Sequence, residues 1–229
     1  MNKEMFERSI GLLGQDNFNL IQEKVVAIFG LGGVGGTAFE ALARTGFQHF
    51  LIVDFDKVDA TNLNRQILYT SKDVGRNKVE AAKERILSIN PDADIKTFNM
   101  KAQDFDFNQK IDFVIDAIDD AEGKLYIVKK AQEYNIPQVM SLGMANRFNP
   151  EQVRVSKLNQ TKNDPLAKKI RYMVKQDGLD LSQINVVISE ELPQKNNEKL
   201  YSTMMVPSSA GLVIAKFILN RIIDIKWNK

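Results

Sequence analysis

The chain has 229 residues, enough to bury one substantial core, and is 44% hydrophobic and 26% charged, the balance of an ordinary globular protein. A formal net charge of +2 decides nothing about nucleic acid, because a local basic patch is compatible with a near-neutral total. The absence of cysteine excludes disulfides, cysteine-ligated zinc, a thiol nucleophile and any thioester or persulfide intermediate. The single histidine, His49, stands in an apolar run and reads as a strand-edge or loop residue rather than as part of a Ser-His-Asp triad.

Met1 to Gly14 reads as an amphipathic helix stopped by glycine, without the apolar core of a signal peptide. A buried strand over Lys24–Phe29 runs into the glycine turn Gly30–Gly36, a helix over Thr37–Thr45 closed by Gly46, and a strand over Phe50–Asp54. Strand, glycine turn, helix, strand means a parallel sheet with a right-handed crossover. Val58 to Thr70 is polar and irregular. Then come a helix from Asn77 to Ile89, strands at 94–99 and 112–116, a helix at 122–134 and a strand at 138–142. This alternation predicts a Rossmann-like, doubly wound, mostly parallel α/β sheet.

The last third changes character. An antiparallel strand is predicted over 152–158, a helix capped by Asp164-Pro165 and running to Gln176, and a strand over 185–189. Gln194–Lys199 is polar and predicts a mobile loop. The apolar stretch from Pro207 to Ile225 is interrupted by Lys216 and Arg221 and reads as a core helix, so no stable membrane insertion and a cytoplasmic location are expected. The expectation is one domain over 1–229, with a nucleotide-binding half to about 150 and a substrate-side half after it.

Gly30, Gly32, Gly33 and Gly35 follow a strand and open a helix, so the backbone can approach a phosphate closely under the helix N-terminus. Asp54 ends the next strand, where an acid can bond a ribose hydroxyl. This pair leaves NAD(P) and ATP both open, beside a turn used for packing alone. Asp56, Asn62, Arg65 and Lys78 shift the balance. Hydride transfer has no need of Arg and Lys there, whereas adenylation releases pyrophosphate, whose charge they would stabilise. Asp116-Ala117-Ile118-Asp119-Asp120 ends another strand; Asp119 suits Mg²⁺, and Asp120 suits a helix cap.

GLGGVGG (30–36), LIVDFDKVDATNLNRQ (51–66), GRNK (75–78) and DAIDD (116–120) together resemble the ThiF/MoeB/ubiquitin-activating superfamily of adenylating enzymes. The resemblance implies ATP as cosubstrate, Asp54 on its ribose, Arg65 and Lys78 on its phosphates, Asn62 orienting them and Mg²⁺ on Asp119. It also implies that Arg8 reaches into the other subunit's site of a homodimer. GMANRFNP (143–150), TKNDPLA (161–167) and VVISEE (186–191) are similar to the branch of dehydratases acting on threonylcarbamoyladenosine in tRNA, which activate a carboxylate as an adenylate and close a ring with loss of AMP. Gly36 stands where many members have Ser, and Arg147 where Lys is common. The short tail departs from longer relatives described at membranes. An intramolecular cyclisation needs no protein thiol, in keeping with the missing cysteines and with no zinc. The alternatives are adenylation of the C-terminal glycine of a ubiquitin-like sulfur carrier, and an NAD(P) oxidoreductase. A cysteine-desulfurase system is associated with some relatives. For tRNA, the basic residues are Lys162, Lys168, Lys169, Arg171 and Lys175 around one helix, with Lys195 and Lys199 beside the polar loop, a set that also suits an ordinary solvated face.

Overall fold

In β1 (Val25–Phe29) apolar residues follow one another without alternation, the pattern of a strand covered on both faces. The same holds for β2 (His49–Val53), β4 (Phe113–Asp116), β5 (Gln138–Ser141) and β7 (Asn185–Ser189), where nearly every residue is buried. β3 (Asp94–Phe98) and β6 (Val153–Lys157) carry exposed polar residues, as edge strands do. The computed structural model describes residues 3–194 and 200–223. Its seven strands form one sheet in the order β3-β2-β1-β4-β5-β7-β6, with β6 antiparallel to β7 and all other pairs parallel. The doubly wound sheet with an antiparallel addition in the C-terminal third is therefore as expected. The chain winds outward from β1 to β3, then returns to β4 on the other side of β1. That reversal opens a crevice beyond the carboxyl ends of β1 and β4.

The helices are α1 (Glu7–Leu13), α2 (Gln15–Gln22), α3 (Gly33–Thr45), α4 (Lys78–Leu87), α5 (Ala121–Glu133), α6 (Pro165–Gln176) and α7 (Met205–Ile222). α7 is long and apolar enough to cross a membrane by length and composition. Here Val206, Ala210, Ile214 and Ile218 enter the main core. Gly211 permits the contact with α3, because a Cβ there would stand 2.5 Å from the Val34 carbonyl oxygen and 2.7 Å from Thr37 Cβ.

Three expectations about helices are corrected. The N-terminal segment is a 3₁₀ turn (Lys3–Phe6) followed by the short α1, broken at Gly14 with φ +80°. A second helix, α2, follows without having been expected; its Phe18 and Ile21 are fully buried, Phe18 lying 5.5 Å from the Phe6 ring. α3 begins at Gly33, four residues before Thr37, so the glycines form its first turn. α7 begins at Met205, and Pro207 sits in its first turn, where a missing N–H breaks no helical bond. Of the polar segment Gln194–Lys199, residues 195–199 lie outside the described residues, as do Met1, Asn2 and 224–229.

Candidate active site

The crevice is a cleft of about 670 Å³, walled by the glycine turn, the end of β2, the turn around Asn62–Gln66, the start of α4, residues 100–103 and the exit of β4. Gly30 leaves β1 at φ +87°, and a Cβ there would stand 2.7 Å from the Ala117 carbonyl, so only glycine passes beside the exit of β4. A Cβ on Gly35 would collide with the Gly30 carbonyl oxygen. Gly32 differs: its nearest neighbour would be Gln66 Nε2 at 3.9 Å, so this part of the turn borders open space in the cleft. The N-terminus of α3 opens beside it, with backbone N–H groups suited to an anion.

Asp54 ties two walls together. Its Oδ2 accepts from the Leu31 N–H at 2.7 Å, and its Oδ1 accepts from the Asp56 N–H at 2.9 Å. Burial raises its pKa above the usual carboxylate range, and the nearby Lys78 charge opposes the rise. Each oxygen keeps a lone pair for a further donor. Lys78 is the first residue of α4, only 6% exposed, and its Nζ lies 2.7 Å from Asp56 Oδ2 and 4.0 Å from Asp54 Oδ2. The Lys78 N–H donates to the Asp56 carbonyl at 3.0 Å, which fixes where the helix starts and aims the side chain into the cleft.

The turn from Asp59 to Gln66 is built by reciprocal capping: Asp59 Oδ1 accepts from the Thr61 N–H, and Asn62 Oδ1 accepts from the Asp59 N–H. The Asn62 amide NH₂ has no partner among the described residues. Arg65 donates through Nη1 to the Thr61 carbonyl and to Asn64 Oδ1, each at 2.9 Å. Its remaining N–H donors have no partner among the described residues, so much of the guanidinium fork is available to the cleft.

At the exit of β4 three aspartates diverge. Asp116 is fully buried, and Lys124 Nζ, equally buried, donates to it at 2.8 Å and to the Ser141 carbonyl at 2.9 Å. Burial raises the Asp116 pKa, with Lys124 pulling the other way. Asp120 caps α5 through the Gly123 N–H at 2.7 Å and accepts from Gln103 Nε2 at 3.2 Å. Although burial pulls upward, the Gly123 N–H, Gln103, the Glu122 N–H and the Lys169 charge hold Asp120 below the usual range. Asp119, between them, is exposed at the cleft rim and has no partner among the described residues.

Gly30, Gly32, Gly33, Asp54, Asp56, Asn62, Arg65, Lys78 and Asp119 thus all line one cleft. Gly35 supports it from beneath. Arg8 is exposed on α1 and is not part of this wall. Lys162, Lys168, Lys169 and Lys175 are exposed on and before α6, outside the cleft lining. Arg171 is half-buried and committed to Thr161, donating to its carbonyl at 2.9 Å and to its hydroxyl. The wall formed by Phe55, Met100, Lys101 and Gln103 was not anticipated. Its only local signal is Phe55 between two aspartates, an exposed aromatic over which Lys101 Nζ sits 5.8 Å from the ring centroid.

Residues 6–174 match the ThiF family. The chain is 31% identical to the tRNA threonylcarbamoyladenosine dehydratase of Bacillus subtilis, over 93% of this chain and 92% of that protein. It is 35% identical to the Escherichia coli protein of the same name, over 76% of this chain and 67% of that one. The crystal structure of the E. coli dehydratase with ATP superposes with a TM-score of 0.89 at 30% identity, covering 96% of this chain and 94% of that one; its complex with AMP gives the same values. A cleft built from these glycines, acids and cations, in a chain that follows such proteins over nearly its full length, leads to one assignment: the chain belongs to the ThiF family, among the tRNA threonylcarbamoyladenosine dehydratases.

Proposed function

We propose that this chain uses ATP to cyclise threonylcarbamoyladenosine in the anticodon loop of tRNA. The observation that carries the proposal is the convergence of Asp54, Asn62, Arg65, Lys78 and Asp119 with an open glycine turn in one cleft. The similar E. coli protein binds ATP and AMP. In this reading, an oxygen of the threonyl carboxylate attacks the α-phosphorus of ATP, and the bond to the bridging oxygen breaks as pyrophosphate leaves. The urea-type nitrogen or oxygen of the same threonylcarbamoyl group then attacks the acyl carbon, and a urea N–H gives up its proton. The acyl–oxygen bond breaks, and AMP departs with that oxygen. The nucleoside has lost one water. Holding both reacting groups in one substrate supplies most of the second step by proximity.

Asp54 takes a ribose hydroxyl with the lone pairs that the backbone N–H groups leave. Lys78 and the open side of Arg65 stabilise the charge of the departing pyrophosphate, and the Asn62 amide orients the phosphates. Asp119, exposed and without a partner among the described residues, would hold a Mg²⁺ ion, which would supply further positive charge to the leaving group. Arg8, exposed and outside the lining of its own cleft, serves the other subunit's cleft in a homodimer. Lys162, Lys168, Lys169 and Lys175 track tRNA phosphates, with the reacting base splayed out of its loop. Arg171 acts there through its hold on Thr161. The enzyme works in the cytoplasm.

The test is to incubate the full chain with ATP, Mg²⁺ and tRNA carrying threonylcarbamoyladenosine, digest the tRNA and weigh the nucleoside. Loss of one water that depends on ATP is expected. An unchanged mass despite ATP binding would move the substrate to a protein carrier.

A further inference from the structure

The loop leaving β5 and the segment entering α7 meet, and the join continues to the phosphate side of the cleft. Asn146 stands in the left-handed region at φ +57°, a conformation asparagine tolerates at low cost. Its N–H donates to the Tyr201 carbonyl at 2.7 Å, and its Oδ1 accepts from the Tyr201 N–H at 2.8 Å. These two bonds hold Tyr201 as a strand partner would. The next residue, Ser202, offers its carbonyl to Asn64 Nδ2 at 2.8 Å. The other end of that amide, Asn64 Oδ1, accepts from Arg65 Nη1 at 2.9 Å. A continuous chain of hydrogen bonds therefore runs from Asn146 in the loop after β5, through Tyr201-Ser202, to the guanidinium of Arg65.

From this chain we infer that Asn64 is a positioning residue for Arg65, and that the Tyr201-Ser202 strap holds it in place. The inference rests on the reading of Arg65 as a phosphate-binding arm. Asn64 is exposed, and its amide is divided between one donor and one acceptor contact, so neither contact is demanded by burial. Both contacts fix the direction of the arm. Thr61 alone would leave Arg65 pinned at a single point, free to swing about that bond; Asn64 supplies the second point. The strap passes beside the cleft without contributing a residue to its lining, so its effect on ATP must travel through Asn64.

Calorimetric titration of the full-length chain with ATP and, separately, with AMP tests this. AMP lacks the β- and γ-phosphates and serves as the control for an intact cleft. Arg65→Ala and Asn64→Ala are each expected to weaken ATP about tenfold while AMP stays within about twofold, the size of one hydrogen bond to a charged group. Asn64→Ala is expected to add nothing in the Arg65→Ala background. Asn146→Gly, which keeps the backbone angle and removes the amide, is expected to weaken ATP about threefold and to spare AMP. If Arg65→Ala weakens ATP and Asn64→Ala does not, the strap is overturned. Equal losses of ATP and AMP in Asn64→Ala overturn it too, because they mean a disturbed cleft rather than a misplaced arm. If Arg65→Ala itself binds ATP as the parent does, the phosphate reading of Arg65 falls, and the strap falls with it.

Discussion

The wall of the cleft and the floor behind it each hold a lysine on an aspartate, and the two pairs teach opposite lessons. On the wall, Lys78 lies 2.7 Å from Asp56, whose side chain is half exposed. In the floor, Lys124 lies 2.8 Å from Asp116, and neither side chain touches solvent. The distances are nearly equal and the roles are not. The wall pair faces the open cleft, and in the proposed function Lys78 exchanges its carboxylate for phosphate oxygens. The floor pair is sealed by β4, β5 and α5, and its lysine also binds the Ser141 carbonyl. It joins the ends of two strands and so sets where the Asp119 loop emerges. Both lysines are buried, and it is the solvent access of the paired carboxylate, rather than contact geometry, that separates the two pairs.

The largest effect expected is on the floor. Lys124→Met leaves Asp116 buried without its partner and should cost about 3–5 kcal/mol of stability at neutral pH. The sign with pH follows from the raised Asp116 pKa. A carboxyl whose folded pKa exceeds its unfolded value contributes stability that is present below the unfolded pKa and lost as pH rises through the folded one. Removing Lys124 lifts the folded pKa further. Denaturant titrations should therefore show the deficit largest near neutrality and nearly gone by about pH 4. A deficit independent of pH would show that the pair acts by packing alone.

On the wall the order reverses. Lys78→Ala should lower the dehydration rate on the order of 10²-fold or more, with a stability loss smaller than that of Lys124→Met, because its closest carboxylate, Asp56, is half exposed. A stability loss as large as that of Lys124→Met would erase the distinction between wall and floor. Between helices, Gly211→Ala should cost about 1–3 kcal/mol, since the added methyl meets α3 backbone that cannot turn away, as thermal unfolding would report. Asp56→Asn should change stability by less than about 1 kcal/mol, because its carboxylate is half exposed and water can replace it. The smallest effect is on α6: Lys168→Ala with Lys175→Ala should flatten the salt dependence of tRNA binding by about one to two charges, with ATP affinity unchanged.

The wall was legible in the sequence because its chemistry is contiguous. The glycines, the Asn62–Arg65 turn and Lys78 are each short runs whose spacing implies a turn or a helix start, and the sheet order then brings the runs together. The floor was not legible. Asp116 and Lys124 are eight residues apart and meet only because α5 returns over β5, a fact about packing that no local pattern carries. α2 escaped notice because eight residues with two buried apolar side chains give too little periodicity. Arg171 illustrates the same limit on the surface: a list of basic residues cannot say which one folds back onto Thr161. The asparagines of the strap look like ordinary loop residues until Tyr201 and Ser202 are placed between them.

In the proposed function this cleft activates a carboxylate at the α-phosphorus of ATP. The most direct measurement uses tRNA whose threonylcarbamoyl carboxylate carries ¹⁸O, with the nucleotide products weighed after one turnover. One heavy oxygen in AMP and none in pyrophosphate is the expected result. Heavy oxygen in inorganic phosphate, with ADP as the other product, would place the attack on the γ-phosphorus and contradict it.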